Sequence, residues 1–362
     1  MRKYKKDLKS FPSNIFRFRG QLDSREKYLR LDKNEKPSNL DFAILRHLKK
    51  NLRSFHITSY PELEKVYLNL AKYLSLKKEN LVLTGGADLG IKNCFELFVR
   101  PNNKIITISP SFAMVDIYTK LFRAKPINFK YDKNLKIDLK KISKKIDKNI
   151  KMIILSNPNN PTGTIIRKKE LLFLIKKAER FNVPFVVDEV YHGFSSETLI
   201  KYINKFKNLI IIRTFSKSYG LAALRAGYII SNKKIAQLLY KFKPMYEINS
   251  IAAIVINFLI KNSKFEKKNL NEFRSGKNYL ISFLKKHKIS FINTHTNFIH
   301  IRLKNKASSK YLMNYLFKKN ILVRNGGPGV EGYENYLRVT TGSKKQMIYL
   351  TKILSTKWKF IK

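Results

Sequence analysis

The segment "RTFSKSYGLAALRAGY", residues 213–228, carries the side chains best suited to covalent chemistry. Lys217 stands between two serines, and Arg225 follows eight positions later. The flanking runs "NLIIIRTFS" and "LRAGYIIS" are rich in apolar residues, which is typical of buried strands. Because partial burial lowers the pKa of a lysine, its amine can lose a proton near neutral pH and attack a carbonyl carbon. The segment therefore predicts an imine-forming lysine.

The segment "VVDEVYHGF", residues 186–194, adds a carboxylate at the end of an apolar run. Asp188 follows "PFVV", and Tyr191 comes three positions later. Burying a carboxylate costs several kcal/mol unless a cation or hydrogen-bond donors meet it. A solvated loop is the alternative interpretation. The apolar run favours a buried acid that needs a positively charged partner.

Two loops offer hydrogen-bond donors. In "TGGADLGI", residues 84–91, glycines end a strand and a helix begins, so that free backbone N–H groups could cradle a phosphate, although a plain strand-to-helix turn explains the pattern about as well. The residues of this cradle are Gly86, Ala87 and Asp88. In "SNPNNPTGT", residues 156–164, two prolines and a glycine fix an extended turn that would hold the Asn160 amide over the sheet edge.

Pyridoxal 5′-phosphate satisfies all four motifs at once. Its aldehyde would form an imine with Lys217, and its pyridinium nitrogen would meet Asp188. Its phenolic oxygen would take donors from Asn160 and Tyr191. Besides the backbone cradle, the side chains that would hold its phosphate are Thr214, Ser216 and Arg225. The four motifs together therefore predict this cofactor.

These residues need a scaffold that brings strand ends together. Seven strand-like runs occur at 80–84, 104–109, 126–130, 152–156, 184–190, 209–215 and 227–231. Amphipathic helical patterns such as 168–181 lie between several of them. Continuous apolar strands of this kind predict an α/β fold with a mostly parallel seven-stranded sheet between helices. In such sheets, functional residues gather at the carboxyl ends of the strands.

The pattern changes after about residue 250. Two long helical stretches are followed by short strands, another helix and a terminal helix, which predicts a smaller α+β domain. We expect three parts: an N-terminal segment, 1–45, that packs on the small domain, a large cofactor-binding domain, 46–245, and the small domain, 246–362.

Composition sets outer bounds on function. The 362 residues include 74 basic and 25 acidic ones, a net charge of +49, but the lysines are spread over the whole chain. A general preference for lysine, nucleic-acid binding and attraction of anionic metabolites all remain possible explanations. The single Cys94 excludes an internal disulfide, and neither a signal peptide nor an apolar run of about 18 residues is evident, so a soluble cytoplasmic protein is expected. His295 and His300 are interpreted as strand-face residues rather than metal ligands.

The motifs also carry a family resemblance. The run S-K-x-x-G-L-x-x-L-R-x-G-Y, with N-P-N-N-P-T-G and D-E-V-Y upstream, resembles the class I/II aminotransferases of the fold-type I pyridoxal-phosphate enzymes. Within them it is most similar to the histidinol-phosphate aminotransferase family, and the resemblance extends from residues 29–37 to 336–343.

The resemblance implies further site residues and a homodimer with shared active sites. Phe112 would stack on the cofactor ring, Tyr60 would reach the phosphate bound by the partner subunit, and Arg338 would clamp the substrate carboxylate. The substrate side of the pocket would include Asn34, Asn297 and Arg324. The chain departs from the family in "NEKP", where N-E-N-P is more usual, in Leu89, and in 243–253; the first and last of these place the amino donor in question.

The predicted reaction is ping-pong transamination between an amino acid, or an amino phosphate ester, and a 2-oxo acid, with Lys217 as the proton carrier. A pyridoxal-phosphate-dependent decarboxylase of an O-phospho-amino acid is the alternative on the same scaffold. A basic nucleic-acid-binding protein is the non-enzymatic alternative, and it would show a steep salt dependence of binding.

Overall fold

The computed structural model describes residues 24–357, 360 and 361, so the expectations for residues 1–23 lie outside the described residues. The described strands are β1 (Leu29–Arg30), β2 (Leu81–Thr84), β3 (Lys104–Ser109), β4 (Lys125–Lys130), β5 (Ile150–Ser156), β6 (Phe185–Asp188), β7 (Leu209–Thr214), β8 (Gly227–Ser231), β9 (Phe291–Ile292), β10 (Phe298–Arg302), β11 (Ile321–Leu322), β12 (Arg324–Asn325) and β13 (Tyr336–Thr340). The described α-helices are α1 (Phe42–Asn51), α2 (Phe55–Thr58), α3 (Glu64–Leu74), α4 (Ala87–Phe98), α5 (Ala113–Leu121), α6 (Leu139–Lys144), α7 (Lys168–Glu179), α8 (Lys233–Phe242), α9 (Ser250–Lys261), α10 (Lys264–Lys286), α11 (Lys306–Lys318) and α12 (Lys344–Ser355).

A seven-stranded sheet in the order β2-β8-β7-β6-β5-β3-β4 forms the centre of the fold. The strands from β7 to β4 pair in parallel, whereas β8 is antiparallel to both of its neighbours. This confirms the predicted mostly parallel α/β sheet. Every residue of β7 is buried. This follows because its side chains project from both faces of the sheet and helices cover both faces.

The two faces of the sheet build separate apolar clusters. Leu209 and Ile211 of β7 lie in one cluster, and Ile210 and Ile212 lie in the other, as the two-residue period of a strand requires. Helix α7 shows how the cover forms, because its apolar residues recur every three or four positions and the buried ones face the sheet. The buried residues of α7 are Leu171, Leu174, Ile175 and Ala178.

A four-stranded antiparallel sheet in the order β12-β13-β10-β9 and a short parallel pair of β1 with β11 make up the second sheet region. Both contribute to a third apolar cluster, which contains Leu31, Ile299 and Leu337. Helix α9 packs instead with the core of the large sheet, where Ile256 and Leu259 are buried. The boundary near residue 245 therefore stays a prediction.

Within residues 24–357, 360 and 361, no helix is long and apolar enough to cross a bilayer. The same part of the chain contains no group of three histidine, cysteine or acidic side chains that could hold a metal ion. The single Cys94 is buried in the sheet-and-helix core.

Candidate active site

A cavity of about 450 Å³ opens at the carboxyl ends of β5, β6 and β7. These strands are adjacent and parallel, so that Ser156, Asp188 and Thr214 end at one edge of the sheet. The predicted residues that line the cavity are Asn34, Ala87, Asp88, Phe112, Asn160, Asp188, Tyr191, Thr214, Ser216, Lys217, Arg225, Arg324 and Arg338. Residues more than 300 positions apart thus face one space.

Lys217 is partly buried and its amine points to the N-terminal segment. Its Nζ donates to the carbonyl oxygen of Asn34 at 3.0 Å and lies 3.4 Å from that of Lys33. Burial lowers the pKa of Lys217 to about 8, and the charge of Arg338 adds to this shift. A substantial fraction of neutral amine is therefore present slightly above neutral pH.

Asp188 is 2% exposed at the end of β6. Its carboxylate accepts hydrogen bonds from Ser156 Oγ and from the backbone N–H of Val190, both at 3.1 Å. Burial raises its pKa to about 6 in spite of these donors. Among the described residues, none forms an ion pair with Asp188. The carboxylate is thus held in place without a protein cation.

The part of the cavity that is lined by Ala87, Asp88 and Arg225 is suited to an anion. Gly86 has φ +88°, and a Cβ there would lie 2.7 Å from Nη2 of Arg225, so the backbone and the guanidinium approach closely because this residue is glycine. Helix α4 begins at the next residue and directs its free N–H groups and positive dipole end to the same place. Arg225 also lies 3.5 Å from Asp88, and Thr214 Oγ1 donates to Ser216 Oγ at 3.0 Å.

Tyr191 and Asn160 also line the cavity, and side chains from distant segments position both of them. Asn34 Nδ2 donates to the hydroxyl of Tyr191 at 2.9 Å, and burial raises the pKa of Tyr191 to about 12. Arg338 Nη1 donates to Asn160 Oδ1 at 3.1 Å. Asn34 itself adopts φ +55°, a left-handed conformation that asparagine tolerates better than most residues.

Two arginines form the outer wall. Arg324 and Arg338 are register partners on β12 and β13, and both line the cavity. Arg324 is exposed, whereas Arg338 is 6% exposed and donates through Nη2 to the carbonyl of Asp32 at 2.9 Å. Burial lowers the pKa of Arg338 to about 10, and its buried Nε has no hydrogen-bond partner among the described residues. An anion with several oxygens suits this pair of guanidinium groups.

Three predicted residues lie away from the cavity wall. Asn297 is fully buried and donates to the carbonyl of Asn34 at 3.0 Å, behind the wall. Gly86 adjoins Arg225, as described above. Tyr60 is 73% exposed and stacks on Tyr246 with ring centroids 4.1 Å apart.

Sequence reasoning missed other lining residues. Ser156 donates to Asp188 and Ser111 donates to Asn159, and no role was predicted for either hydroxyl group, although Ser156 begins the motif at 156–164. The loop 325–332 also contributes wall residues, namely Asn325, Gly326, Gly327 and Gly329. His300 is not a lining residue; its Nε2 lies 2.8 Å from the carbonyl oxygen of Pro161, and burial lowers the pKa of His300 to about 3.

The donor set fits pyridoxal phosphate. Asp188 offers a carboxylate that forms no ion pair with any described residue and is therefore suited to a pyridinium N–H. The glycine-backed start of α4 and Arg225 offer an anion cradle. Lys217 offers an amine with a lowered pKa on the wall of the same cavity.

Comparisons with known proteins agree with this chemistry. The family model for "Aminotransferase class I and II" matches residues 27–354. A histidinol-phosphate aminotransferase of Clostridium novyi (strain NT) is 33% identical over 343 residues, 93% of this chain and 94% of that protein. The fold is similar to a histidinol-phosphate aminotransferase of Sinorhizobium meliloti in complex with pyridoxal-5′-phosphate (TM-score 0.80, 19% identity, 90% of this chain and 91% of that one). It is also similar to L-threonine-O-3-phosphate decarboxylase of Porphyromonas gingivalis (TM-score 0.75, 24% identity, 91% and 99% covered).

Proposed function

The chain belongs to the class I and II aminotransferases, and on that premise we propose that it moves an amino group from a phosphate-bearing amine to a 2-oxo acid, with Lys217 as the cofactor-attaching residue. Membership gives the reaction class, transamination, and the cofactor, pyridoxal phosphate. The roles of individual residues and the substrate are our proposal. The observation that supports this proposal is that one cavity is lined by Lys217, by Asp188, which forms no ion pair with a described residue, and by two arginines.

Asp188, Lys217 and the neighbouring residues would each have a separate role toward the cofactor. When bound, pyridoxal phosphate supplies an electron sink for the negative charge left when the substrate Cα loses its proton. The Asp188 carboxylate would hold a proton on the ring nitrogen, which keeps the ring electron-withdrawing. Asn160 and Tyr191 would orient the ring through its phenolic oxygen, and Phe112 would cover one ring face.

Lys217 would move the proton at the substrate Cα. Its lowered pKa makes the free amine a base near neutral pH, and the resulting ammonium can return the proton as an acid. The carbonyl oxygens of Lys33 and Asn34 lie where they can accept hydrogen bonds from that ammonium. Both protonation states are therefore accessible during one turnover.

The two arginines favour substrates with an anionic group. Arg338 would pair with the carboxylate of the 2-oxo acid or its amino acid product, since its fork matches two oxygens. The exposed Arg324 on the neighbouring strand would meet a second anionic group, such as a phosphate ester. The curated relatives named histidinol-phosphate aminotransferase make histidinol phosphate the first donor to test.

Replacing Lys217 with alanine tests the attachment site. We expect loss of the visible absorbance of bound cofactor and a fall in transamination of at least about a thousandfold. Lys277→Met is the matched control, because burial also lowers the pKa of Lys277 to about 8 but its Nζ donates to the carbonyls of Thr294 and Thr296. A Lys217→Ala protein with an unchanged spectrum would refute the assignment.

A donor screen tests the substrate. Histidinol phosphate, histidinol and O-phosphothreonine would each be supplied with 2-oxoglutarate, and both glutamate and carbon dioxide would be measured. We expect glutamate from histidinol phosphate. Arg324→Gln should raise the KM for histidinol phosphate about 10- to 100-fold. Arg302→Gln, an exposed arginine on β10, should leave KM unchanged. Carbon dioxide release that needs no oxo acid would replace transamination by the decarboxylase alternative.

We also propose that two copies share their active sites. Phe55, Ile57 and Tyr60 are more than half exposed, as is Met245 beside the stacking partner Tyr246. Large exposed apolar groups of this kind favour coverage by another protein surface. Mixing inactive Lys217→Ala and Tyr60→Ala proteins should restore activity, because one site of the mixed dimer then has both residues. A sedimentation mass of one chain, or no recovery on mixing, would contradict the shared site.

A further inference from the structure

Lys36 is a buried lysine outside the cavity wall, and it stands at the position where the sequence has "NEKP". Its side chain is 8% exposed, and Nζ donates to Asn269 Oδ1 at 2.6 Å and lies 3.6 Å from Glu272 Oε2. Both partners belong to helix α10. The side chain therefore joins the N-terminal segment to that helix.

The stem of Lys36 also packs on the turn that carries Lys217. A Cβ at Gly220 would lie 2.7 Å from Cδ of Lys36, and Gly220 has φ +72°, so this close contact depends on glycine. The Gly220 N–H donates to the Lys217 carbonyl at 3.1 Å, which closes the turn. Asn269 Nδ2 completes the bridge by donating to the Tyr219 carbonyl at 2.9 Å.

The bridge lies next in sequence to two partners of the Lys217 amine. Asn34, whose carbonyl accepts from Lys217 Nζ at 3.0 Å, lies only two residues before Lys36. Lys36 thus connects two regions to helix α10: the segment with the acceptor carbonyls of Lys33 and Asn34, and the turn that carries Lys217. We infer that Lys36 is a positioning residue that holds the Lys33 and Asn34 carbonyls at the amine of Lys217. This inference rests on the proposed role of Lys217.

The inference predicts a pH effect of definite sign. Carbonyl oxygens stabilise the ammonium form of Lys217, so releasing them lowers its pKa by about half a unit to one unit. Loss of the Lys36 charge alone would raise it, because a nearby cation disfavours a second one. The charged groups that face Lys217 stay the same in both cases; they are Glu35, Asp88, Asp188, Arg225 and Arg338.

The test uses the full-length protein after its cofactor has been dialysed out. Pyridoxal phosphate is added at a series of pH values, the product is trapped with borohydride, and the Lys217 peptide is quantified by mass spectrometry. Lys36→Met keeps the stem and removes the ammonium. Asn269→Ala keeps the charge of Lys36 and removes the oxygen that accepts its hydrogen bond. This second variant also tests the inference if Lys36→Met does not fold. We expect the midpoint of trapping to fall by about half a pH unit or more in Asn269→Ala, whereas in Lys36→Met the loss of the charge offsets part of that fall.

Lys268→Met is the matched control. Lys268 lies on the same helix, carries the same charge and binds Asp41 of the N-terminal region at 2.6 Å, but it does not contact the Lys217 turn. Its midpoint should equal that of the wild type. An unchanged or raised midpoint in Asn269→Ala, which keeps the charge of Lys36, would overturn the positioning role. Absence of label on Lys217 in the wild type would instead overturn the proposed attachment site.

Discussion

Asp188 and Glu189 are adjacent buried carboxylates with opposite surroundings. Glu189 accepts from Nε and Nη2 of Arg213 at 3.1 and 2.8 Å, and from Thr198 and the N–H of Leu199. Among the described residues, Asp188 accepts only from a serine hydroxyl and one backbone N–H, and it faces the cavity. Within that part of the chain, Glu189 forms an ion pair and Asp188 does not.

The difference separates a stabilising group from a functional one. A buried ion pair with complete hydrogen bonding is costly to break but binds nothing else. A buried carboxylate without a cation destabilises the free protein, and a cationic ligand can offset that cost when it binds. The comparison therefore supports a structural role for Glu189 and the proposed cofactor-binding role for Asp188.

Asp188→Asn should give the largest effect on activity. The amide cannot hold a proton on the ring nitrogen as a carboxylate does, so we expect transamination to fall on the order of a hundred- to a thousandfold. The free protein should at the same time become more stable, because a charge is no longer buried. Steady-state rates and thermal melting of the cofactor-free protein measure the two effects. A variant that lost both activity and stability would break the contrast with Glu189.

Glu189→Gln should show the reverse pattern. It leaves the guanidinium of Arg213 buried without a counter-charge, and we expect the free energy of unfolding to fall by about 3 to 5 kcal/mol. Activity below the melting temperature should remain within a few-fold of the wild type. Combining it with Arg213→Met should recover most of the stability, as urea titrations would show. Recovery would fail if Glu189 acted on the cofactor rather than on Arg213.

The sequence was sufficient for the sheet and for the residues at its edge. The run 104–109 and the run 227–231 were predicted with the bounds that β3 and β8 have, because apolar continuity and flanking turn residues are local signals. Because parallel strands end at one edge of a sheet, the sequence alone predicts that Asp188 and Thr214 lie at the same edge.

The contacts of the N-terminal segment could not be predicted in this way. Asn34 contacts Tyr191 and Thr340 across 157 and 306 positions, and these contacts depend on how β1 pairs with β11 and how β13 aligns with β10. The sequence around Lys36 does not predict that this lysine is buried, because lysines occur throughout the chain. Its burial follows only from the packing of three separate segments.

The stability of the free protein should depend on pH through Asp188. Its folded pKa of about 6 is above the ordinary value of 3.8, so between these values the folded chain keeps a proton that the unfolded chain has lost. Stability attributable to this group therefore falls as pH rises from about 4 to about 6, by about 1 to 3 kcal/mol. Melting temperatures of cofactor-free wild type and Asp188→Asn should differ little near pH 4 and most above pH 6. A constant difference would show that the Asp188 carboxyl is not the titrating group.

Ser156→Ala should give the smallest effect and refine the same comparison. The Ser156 hydroxyl donates to Asp188 at 3.1 Å, and removing it takes away one of the two donors that stabilise the ionised acid. We expect the pKa of Asp188 to rise by a further half unit to one unit, with little change in fold. We therefore compare the cofactor affinity of Ser156→Ala with that of the wild type. The ratio of the two affinities should decrease as the pH is lowered from about 7, and it should approach a constant value at higher pH. Thr198→Ala, which removes a donor to Glu189, is the matched control and should leave that pH dependence unchanged.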